Sequence, residues 1–224
     1  MPGKPVKALI FDMDGVLVNT EPHHIFLEKK LFAGLKLNIT EEEHNTYMGK
    51  ANDVMWRELI QKYNLPYKVQ ELAERNKKEI IKYFSEMKEI ELMPGIIDIL
   101  EKLYQKRIPM AVASSSVAET IEIILSRTGL RKYFLYRVNS GLVKRSKPAP
   151  DIFLYTADLL SVKPEQCMVI EDSENGIKAA KAAGMFCVAY TGKSSGSQDQ
   201  SLADECIDDF SQLEAILQKI SDLL

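Results

Sequence analysis

The sequence predicts an α/β protein: a Rossmann-like core built on a parallel sheet, plus an inserted small helical domain. Three features of the chain carry that expectation. Short, wholly apolar segments recur and each stops abruptly at polar residues, segments of helical spacing lie between them, and one connection is far too long for a crossover. Val6-Lys7-Ala8-Leu9-Ile10-Phe11 runs into Asp12-Met13-Asp14-Gly15 and reads as a buried strand entering a polar loop. Met110-Ala111-Val112-Ala113 ends at three serines, Cys167-Met168-Val169-Ile170 at Glu171-Asp172, and Phe186-Cys187-Val188-Ala189-Tyr190 at Thr191-Gly192. Helical periodicities fall at about 95–106, 117–128, 150–160 and 174–183. The alternation of strand and helix implies parallel strands covered on both faces, whose carboxyl ends share the edge where ligands bind.

From Phe11 to Pro109 the chain covers nearly 100 residues, although a crossover needs only the helix from Ile96 to Lys106. The intervening stretch is therefore an insertion. It divides the chain into a catalytic core of residues 1–19 and 91–224 and a helical domain of residues 20–90. Inside the insertion, Phe26-Leu27-Leu31, Val54-Met55-Leu59 and Leu72-Ile80-Ile81-Phe84 have helical spacing, and Thr40 with Glu43 forms a capping-box pattern. Trp56 and Met55 are expected in its core, His23 and His44 on its surface. Leaving the chain directly after a strand end, the insertion is expected to hang over the site. Ser194-Ser195-Gly196-Ser197-Gln198-Asp199-Gln200 reads as a mobile surface loop.

Composition narrows the classes of function. With 224 residues, 46% hydrophobic and 27% charged, the chain has a globular balance that excludes disorder, collagen and small disulfide scaffolds. A formal charge of −3 offers no field for a nucleic-acid backbone, so nucleic acid is not an expected partner. Cys167, Cys187 and Cys206 lack metal-ligand spacing and lie mostly in apolar runs, which points to buried free thiols in a reducing compartment. No stretch approaches the ~20 apolar residues of a membrane span, and the start of the chain does not read as a signal peptide. A soluble, cytoplasmic monomer is expected.

The polar strand ends hold the chemistry. Asp12 and Asp14, two apart beyond a buried strand, can face the same side of the sheet edge. A turn would also favour aspartate and glycine, but the position after an apolar strand favours a nucleophile beside a general acid. Glu171-Asp172 adds two more acids, where a helix N-cap is the plainer alternative. Each close pair of like charges repels by about 4 kcal/mol at an effective dielectric of 20, and a hard divalent cation relieves this. All-oxygen ligation suits Mg²⁺. Lys147, in Arg145-Ser146-Lys147-Pro148-Ala149-Pro150-Asp151, has its direction limited by two prolines and can clamp a nucleophile and a phosphoryl oxygen. Ser114-Ser115-Ser116, leading from a strand into a helix, offers donors suited to phosphate.

These motifs together resemble the haloacid dehalogenase-like hydrolase superfamily, in the helical-cap subgroup that includes β-phosphoglucomutase and small-metabolite phosphatases. Asp12-Met13-Asp14-Gly15-Val16, Ser114 after an apolar strand, Lys147-Pro148-Ala149-Pro150-Asp151-Ile152-Phe153, and Glu171-Asp172-Ser173 with Gly176 beyond match in order over about residues 6–220. The resemblance implies Asp12 as a nucleophile forming an aspartyl-phosphate and Asp14 as general acid, then base. It implies Mg²⁺ on Asp12, the Asp14 backbone carbonyl, Asp172 and Glu171, with Ser114, Ser115 and Lys147 holding phosphate. Dehalogenases of the superfamily lack the second aspartate of the first motif, so Asp14 argues for phosphoryl transfer. A receiver domain would also combine clustered acids with a Lys-Pro, but Asp12 on the first strand and the long insertion count against it.

The helical domain separates mutase from phosphatase, because a second phosphate needs a cation. The phosphoglucomutase cap loop resembles Lys-Gly-X-X-Arg; with its glycine aligned on Gly49, Met48 and Asn52 stand where those cations would be. Lys50 is a substitute cation, and His24 matches a histidine these mutases use near the hinge. The expected activity is a Mg²⁺-dependent phosphatase of a small phosphorylated metabolite, a sugar phosphate among the candidates, with a β-phosphoglucomutase-type mutase as the alternative. His24, Gly49, Lys50 and Asn52 are the candidate substrate contacts.

Overall fold

The structure is a computed structural model that describes residues 5–47, 52–192 and 198–220. The chain divides into two compact units, one of residues 1–20 and 89–224 and one of Glu21–Lys88. In chain order the elements are β1 (Ala8–Phe11), then α1 (Glu21–Gly34), α2 (Glu41–Asn45), α3 (Asn52–Tyr63) and α4 (Val69–Glu86) in the second unit. The first unit resumes with α5 (Ile96–Gln105), β2 (Met110–Ser114), α6 (Ala118–Arg127), β3 (Tyr136–Asn139) and α7 (Asp151–Leu160). β4 (Cys167–Glu171), α8 (Glu174–Ala182), β5 (Phe186–Tyr190), β6 (Glu205–Ile207) and α9 (Phe210–Ile220) complete it.

The described strands form one six-stranded sheet in the order β3-β2-β1-β4-β5-β6, parallel throughout. β1 therefore lies between β2 and β4, and the connections from β1 as far as β5 pass through helices that cover the sheet, whereas no helix is described between β5 and β6. Along β1, Ala8 and Ile10 point to the face where Ile152 and Phe153 of α7 and Ile177 and Ala180 of α8 complete a core cluster. Leu9 and Phe11 point the other way, and the Phe11 ring meets Phe134 edge-on at 5.9 Å. β1, β2, β4 and β5 are buried along their whole length, which is why each reads as an unbroken apolar run.

Several expectations shift. β1 begins at Ala8 rather than Val6, and β2 and β4 continue through Ser114 and Glu171, so two site residues are the last residues of their strands. β3 and β6 were not predicted. Each flanks the sheet and buries a single side chain, Val138 and Ile207, so neither carries the apolar run that marks a central strand. Cys167 and Cys187 are buried free thiols, whereas Cys206, on the edge strand β6, is exposed, which corrects the expectation for that residue.

In the second unit, α3 and α4 pack on α1 around Leu31, Phe32, Trp56, Leu59 and Leu72, with Phe32 and Trp56 edge to face at 5.8 Å. Thr40 caps α2 by accepting from Glu43 N at 3.2 Å, but the Glu43 side chain turns to Lys62 and Tyr63, so only half of the capping box forms. His44 is buried, not at the surface: its Nε2 lies 2.6 Å from Glu28 Oε2 and its ring packs edge-on against Phe32. A carboxylate partner inside the unit lets a polar ring leave water. His23 is half-buried, with Nδ1 3.0 Å from the Tyr83 hydroxyl. No described helix is long and apolar enough to cross a membrane. Of the polar segment 194–200, residues 194–197 lie outside the described residues.

Candidate active site

The sheet register assembles the site. Phe11 pairs with Val112 of β2 and Ile170 of β4, so Asp12 stands level with Glu171, and Ser114 is one residue further along on the other side. Asp12 N still donates to Ile170 O at 2.9 Å, which continues the β1–β4 ladder one residue beyond the strand. The aspartate is thus held on rigid backbone although it lies at the start of a loop.

Lys147 enters from the segment before α7. Ala149 N donates to Ser146 O at 3.0 Å and Pro150 caps α7, so this backbone has little freedom. Its Nζ donates to Asp12 Oδ1 and to Glu171 Oε1, both at 2.6 Å, and to Ala113 O at 3.1 Å, while lying 5.0 Å from the centre of the Phe153 ring. All three ammonium protons are used, which is what makes a lysine only 8% exposed tolerable. Burial works against its charge, but the Asp12 and Glu171 carboxylates outweigh that and raise its pKa. Burial, with Glu171 and Asp14 adding to it against the pull of Lys147, raises the Asp12 carboxyl to about 7.

Glu171 is fully engaged. Its second oxygen, Oε2, accepts from Asp172 N, Ser173 N and the Ser173 hydroxyl, each at 2.9 Å. Ser173 in turn caps α8 by accepting from Gly176 N at 3.1 Å. A Cβ on Gly176 would overlap the Glu171 carboxylate, so this glycine makes room for the buried acid. Gly15 does the same for Asp172: a Cβ there would overlap Oδ2, and the residue has φ +78°, which L side chains rarely adopt.

Asp14 is surrounded by hydroxyls. Thr20 Oγ1 donates to its Oδ1 at 2.6 Å, and Ser116 and Ser114 donate to its Oδ2 at 2.8 and 3.2 Å. Hydroxyls can donate or accept, so this shell suits a carboxyl group that alternates between its two protonation states. Ser114 is buried and its Oγ also accepts from Ser116 N at 3.0 Å. Ser115 is exposed, with its carbonyl accepting from the Ser140 hydroxyl at 3.0 Å.

The site offers oxygen donors of the kind that Mg²⁺ takes. Among the described residues no group of three His, Cys, Asp or Glu side chains is placed so that it could hold a metal ion. Mg²⁺ does not ask for such a group, since it binds through one or two carboxylates with waters and substrate phosphate. Asp12, Asp172 and the Asp14 carbonyl would be such a partial set, and burial, with Glu171 and Asp14 adding to it, leaves the Asp12 carboxylate disfavoured in spite of Lys147.

The structure brings Asp12, Asp14, Ser114, Lys147, Glu171 and Asp172 to one sheet edge. His24 and Asn52 belong to the helical unit, where the His24 ring lies 5.6 Å from that of Phe84 and Asn52 Oδ1 accepts from Asn76 Nδ2 at 3.0 Å. Met48, Gly49 and Lys50 lie outside the described residues. Thr20 and Ser116 were not singled out from the sequence. Ser116 was visible only as one of three serines, and Thr20 carried no signal.

A parallel α/β domain with an acid pair beyond its central first strand, a buried lysine and a second acid pair on the neighbouring strand defines a class of phosphoryl-handling hydrolases. Residues 9–190 match the family model for haloacid dehalogenase-like hydrolases. The chain is 34% identical over 180 residues to a phosphorylated carbohydrates phosphatase of Thermotoga maritima, covering 80% of this chain and 82% of the relative. It is 34% identical over 181 residues to a fructose-1-phosphate phosphatase of Escherichia coli, covering 81% and 94%. Among solved structures, a β-phosphoglucomutase from Clostridium difficile superposes with a TM-score of 0.81 at 26% identity, covering 96% of this chain and 97% of that one. The chain belongs to the haloacid dehalogenase-like hydrolases.

Proposed function

We propose that the protein is a Mg²⁺-dependent phosphatase that hydrolyses a small phosphorylated metabolite, a sugar phosphate being the leading candidate, through an aspartyl-phosphate. The observation that carries this reading is the buried Lys147 ammonium bridging Asp12 and Glu171 at the end of the central strand, beside an Asp14 held by hydroxyls. An Asp12 oxygen attacks phosphorus, and as that P–O bond forms, the bond to the leaving oxygen breaks. Asp14 gives the leaving oxygen its proton, then removes one from the water that attacks the aspartyl-phosphate and restores Asp12. With substrate bound, Lys147 Nζ gives up its bond to Asp12 and the Ser114 hydroxyl its bond to Asp14, and both stabilise the charge that develops on the phosphoryl oxygens, with Ser115 at the same strand end as a further donor. Mg²⁺, held by Asp12, Asp172 and the Asp14 carbonyl, would supply further charge neutralisation at the transferring group. Because both oxygens of Glu171 are engaged, its role on this reading is to hold Lys147 and the Asp172 turn rather than to ligate the metal.

The phosphatases of T. maritima and E. coli among its relatives support a carbohydrate-type substrate. The similarity to a β-phosphoglucomutase keeps an isomerase as the second reading, but the neutral Asn52, bonded to a second asparagine, supplies no cation for a second phosphate. The test is a screen of phosphorylated metabolites for phosphate release with Mg²⁺, with isomerisation of β-glucose 1-phosphate measured in parallel. Release from hexose or smaller phosphates is expected. Interconversion of glucose phosphates faster than phosphate release, given a trace of glucose 1,6-bisphosphate, would make the mutase the correct assignment.

A further inference from the structure

The polar segment after β5 reads from sequence as a mobile surface loop, yet its two glutamines are bonded into the acid turn and the start of α8. Gln200 Nε2 donates to Asp172 O at 2.7 Å and to Tyr190 O at 3.2 Å, so both protons of one amide nitrogen tie the loop beyond β4 to the last residue of β5. Gln198 Oε1 accepts from Glu174 N at 3.0 Å, one of the donors that the start of α8 cannot satisfy internally. The glutamine backbone is itself held, since Ala203 N donates to Gln200 O and Ser201 N to Asp199 Oδ1, both at 3.0 Å. With Glu171 Oε2 taking the amides of Asp172 and Ser173, the turn that aims Asp172 is bonded from both sides. A Cβ on Gly15 would lie 2.0 Å from Asp172 Oδ2, so the carboxylate packs directly against this glycine and a small rotation of its turn would move it into the Asp12–Asp14 loop or away from it.

We infer that Gln200, assisted by Gln198, is a positioning residue for Asp172 that sets the affinity of the site for its divalent cation. The inference rests on the metal-dependent reading above. Partners that orient a metal ligand without touching the metal typically contribute about 10–100-fold to affinity. Gln200→Met keeps the length of the side chain and removes both donors; Gln198→Leu removes only the bond to α8; Gln212→Met, on α9, serves as the matched surface control. Two quantities are read: the Mg²⁺ concentration for half-maximal phosphate release and the rise in melting temperature that Mg²⁺ alone produces. Gln200→Met is expected to raise the half-saturating Mg²⁺ at least about tenfold while the rate at saturating Mg²⁺ stays within about threefold, and to shrink the Mg²⁺-induced melting shift. Gln198→Leu should move both in the same direction by less, and it decides the matter if Gln200→Met does not fold. Unchanged Mg²⁺ dependence in folded variants would overturn the inference, even if their metal-free melting temperature falls. If Mg²⁺ shifts the wild-type melt but no phosphorylated metabolite is hydrolysed, the phosphatase reading fails and the melting series still decides the role of Gln200. A wild-type melt that ignores Mg²⁺ removes the metal site and this inference together.

Discussion

Lys147 and Asp12 are held by opposite demands, and their variants should behave accordingly. Removing the lysine leaves two buried carboxylates facing each other. Lys147→Met should therefore cost stability as well as activity, by about 3–5 kcal/mol, the usual penalty for breaking a buried pair from one side. Denaturant melts above neutral pH measure this, and a loss below about 1 kcal/mol would show that the carboxylates find other partners. Asp12 titrates in the opposite sense to a surface acid. Its carboxyl is pushed from 3.8 to about 7, chiefly by burial, so between those values the folded protein holds a proton that the unfolded chain has released. Stability then falls as pH rises through that window. In excess chelator, Asp12→Asn should abolish phosphate release yet flatten this decline, so that above pH 7 the variant melts higher than the wild type. A variant that melts lower there would mean that the Lys147 contact outweighs the burial of the charge. Asp14→Ala should slow poor leaving groups far more than an activated aryl phosphate, because a good leaving group needs little protonation. Rates on an alkyl and an aryl phosphate compare the two, and equal losses would place Asp14 outside proton transfer.

At the scale of elements, the site consists of strand ends and what they force on their neighbours. β4 delivers a buried glutamate directly to the start of α8, and the approach is so close that position 176 has no space for a methyl group. Gly176→Ala should push Glu171 off Lys147 and lower activity at least about tenfold, a loss a cap-only defect of about 1 kcal/mol would not produce. Kinetics paired with melting curves test this; full activity would mean the Glu171 carboxylate has room to retreat. The same elements explain what could be read from the chain. Central strands buried on both faces were visible as apolar runs, and their polar ends marked Asp12, Ser114 and Glu171 in advance. β3 and β6 were not visible, because an edge strand that buries one residue leaves no pattern. His44 misled because its carboxylate partner, Glu28, is on another helix and nothing local in the sequence shows the pairing. Gln200 was invisible for the same reason: its value is in two backbone carbonyls that come near only once β4 and β5 are paired.

For the whole molecule, the parallel sheet is the device that makes a long insertion compatible with a fixed site. Asp12 and Lys147 are separated by 135 positions in the chain, and Asp14 and Ser116 by 102, yet each pair is in hydrogen-bond contact because β2, which leads to Ser116, lies beside β1 and the segment before α7 brings Lys147 to the same edge. On the proposed reading, this arrangement gathers more acid than one lysine can offset, and activity should vanish in excess chelator and return with Mg²⁺. Calcium should bind but support little turnover, as its looser coordination misplaces the reacting groups; full activity in chelator would refute the metal site. The most direct test of the account is to acid-quench the wild-type enzyme during turnover of its best substrate with Mg²⁺ and weigh the peptide carrying Asp12. The account predicts a transient phosphoryl group on that peptide, formed and lost at least as fast as phosphate is released and absent from Asp12→Asn. Steady phosphate release with no phosphoryl group ever on Asp12, or turnover retained by the folded Asp12→Asn protein, would contradict it.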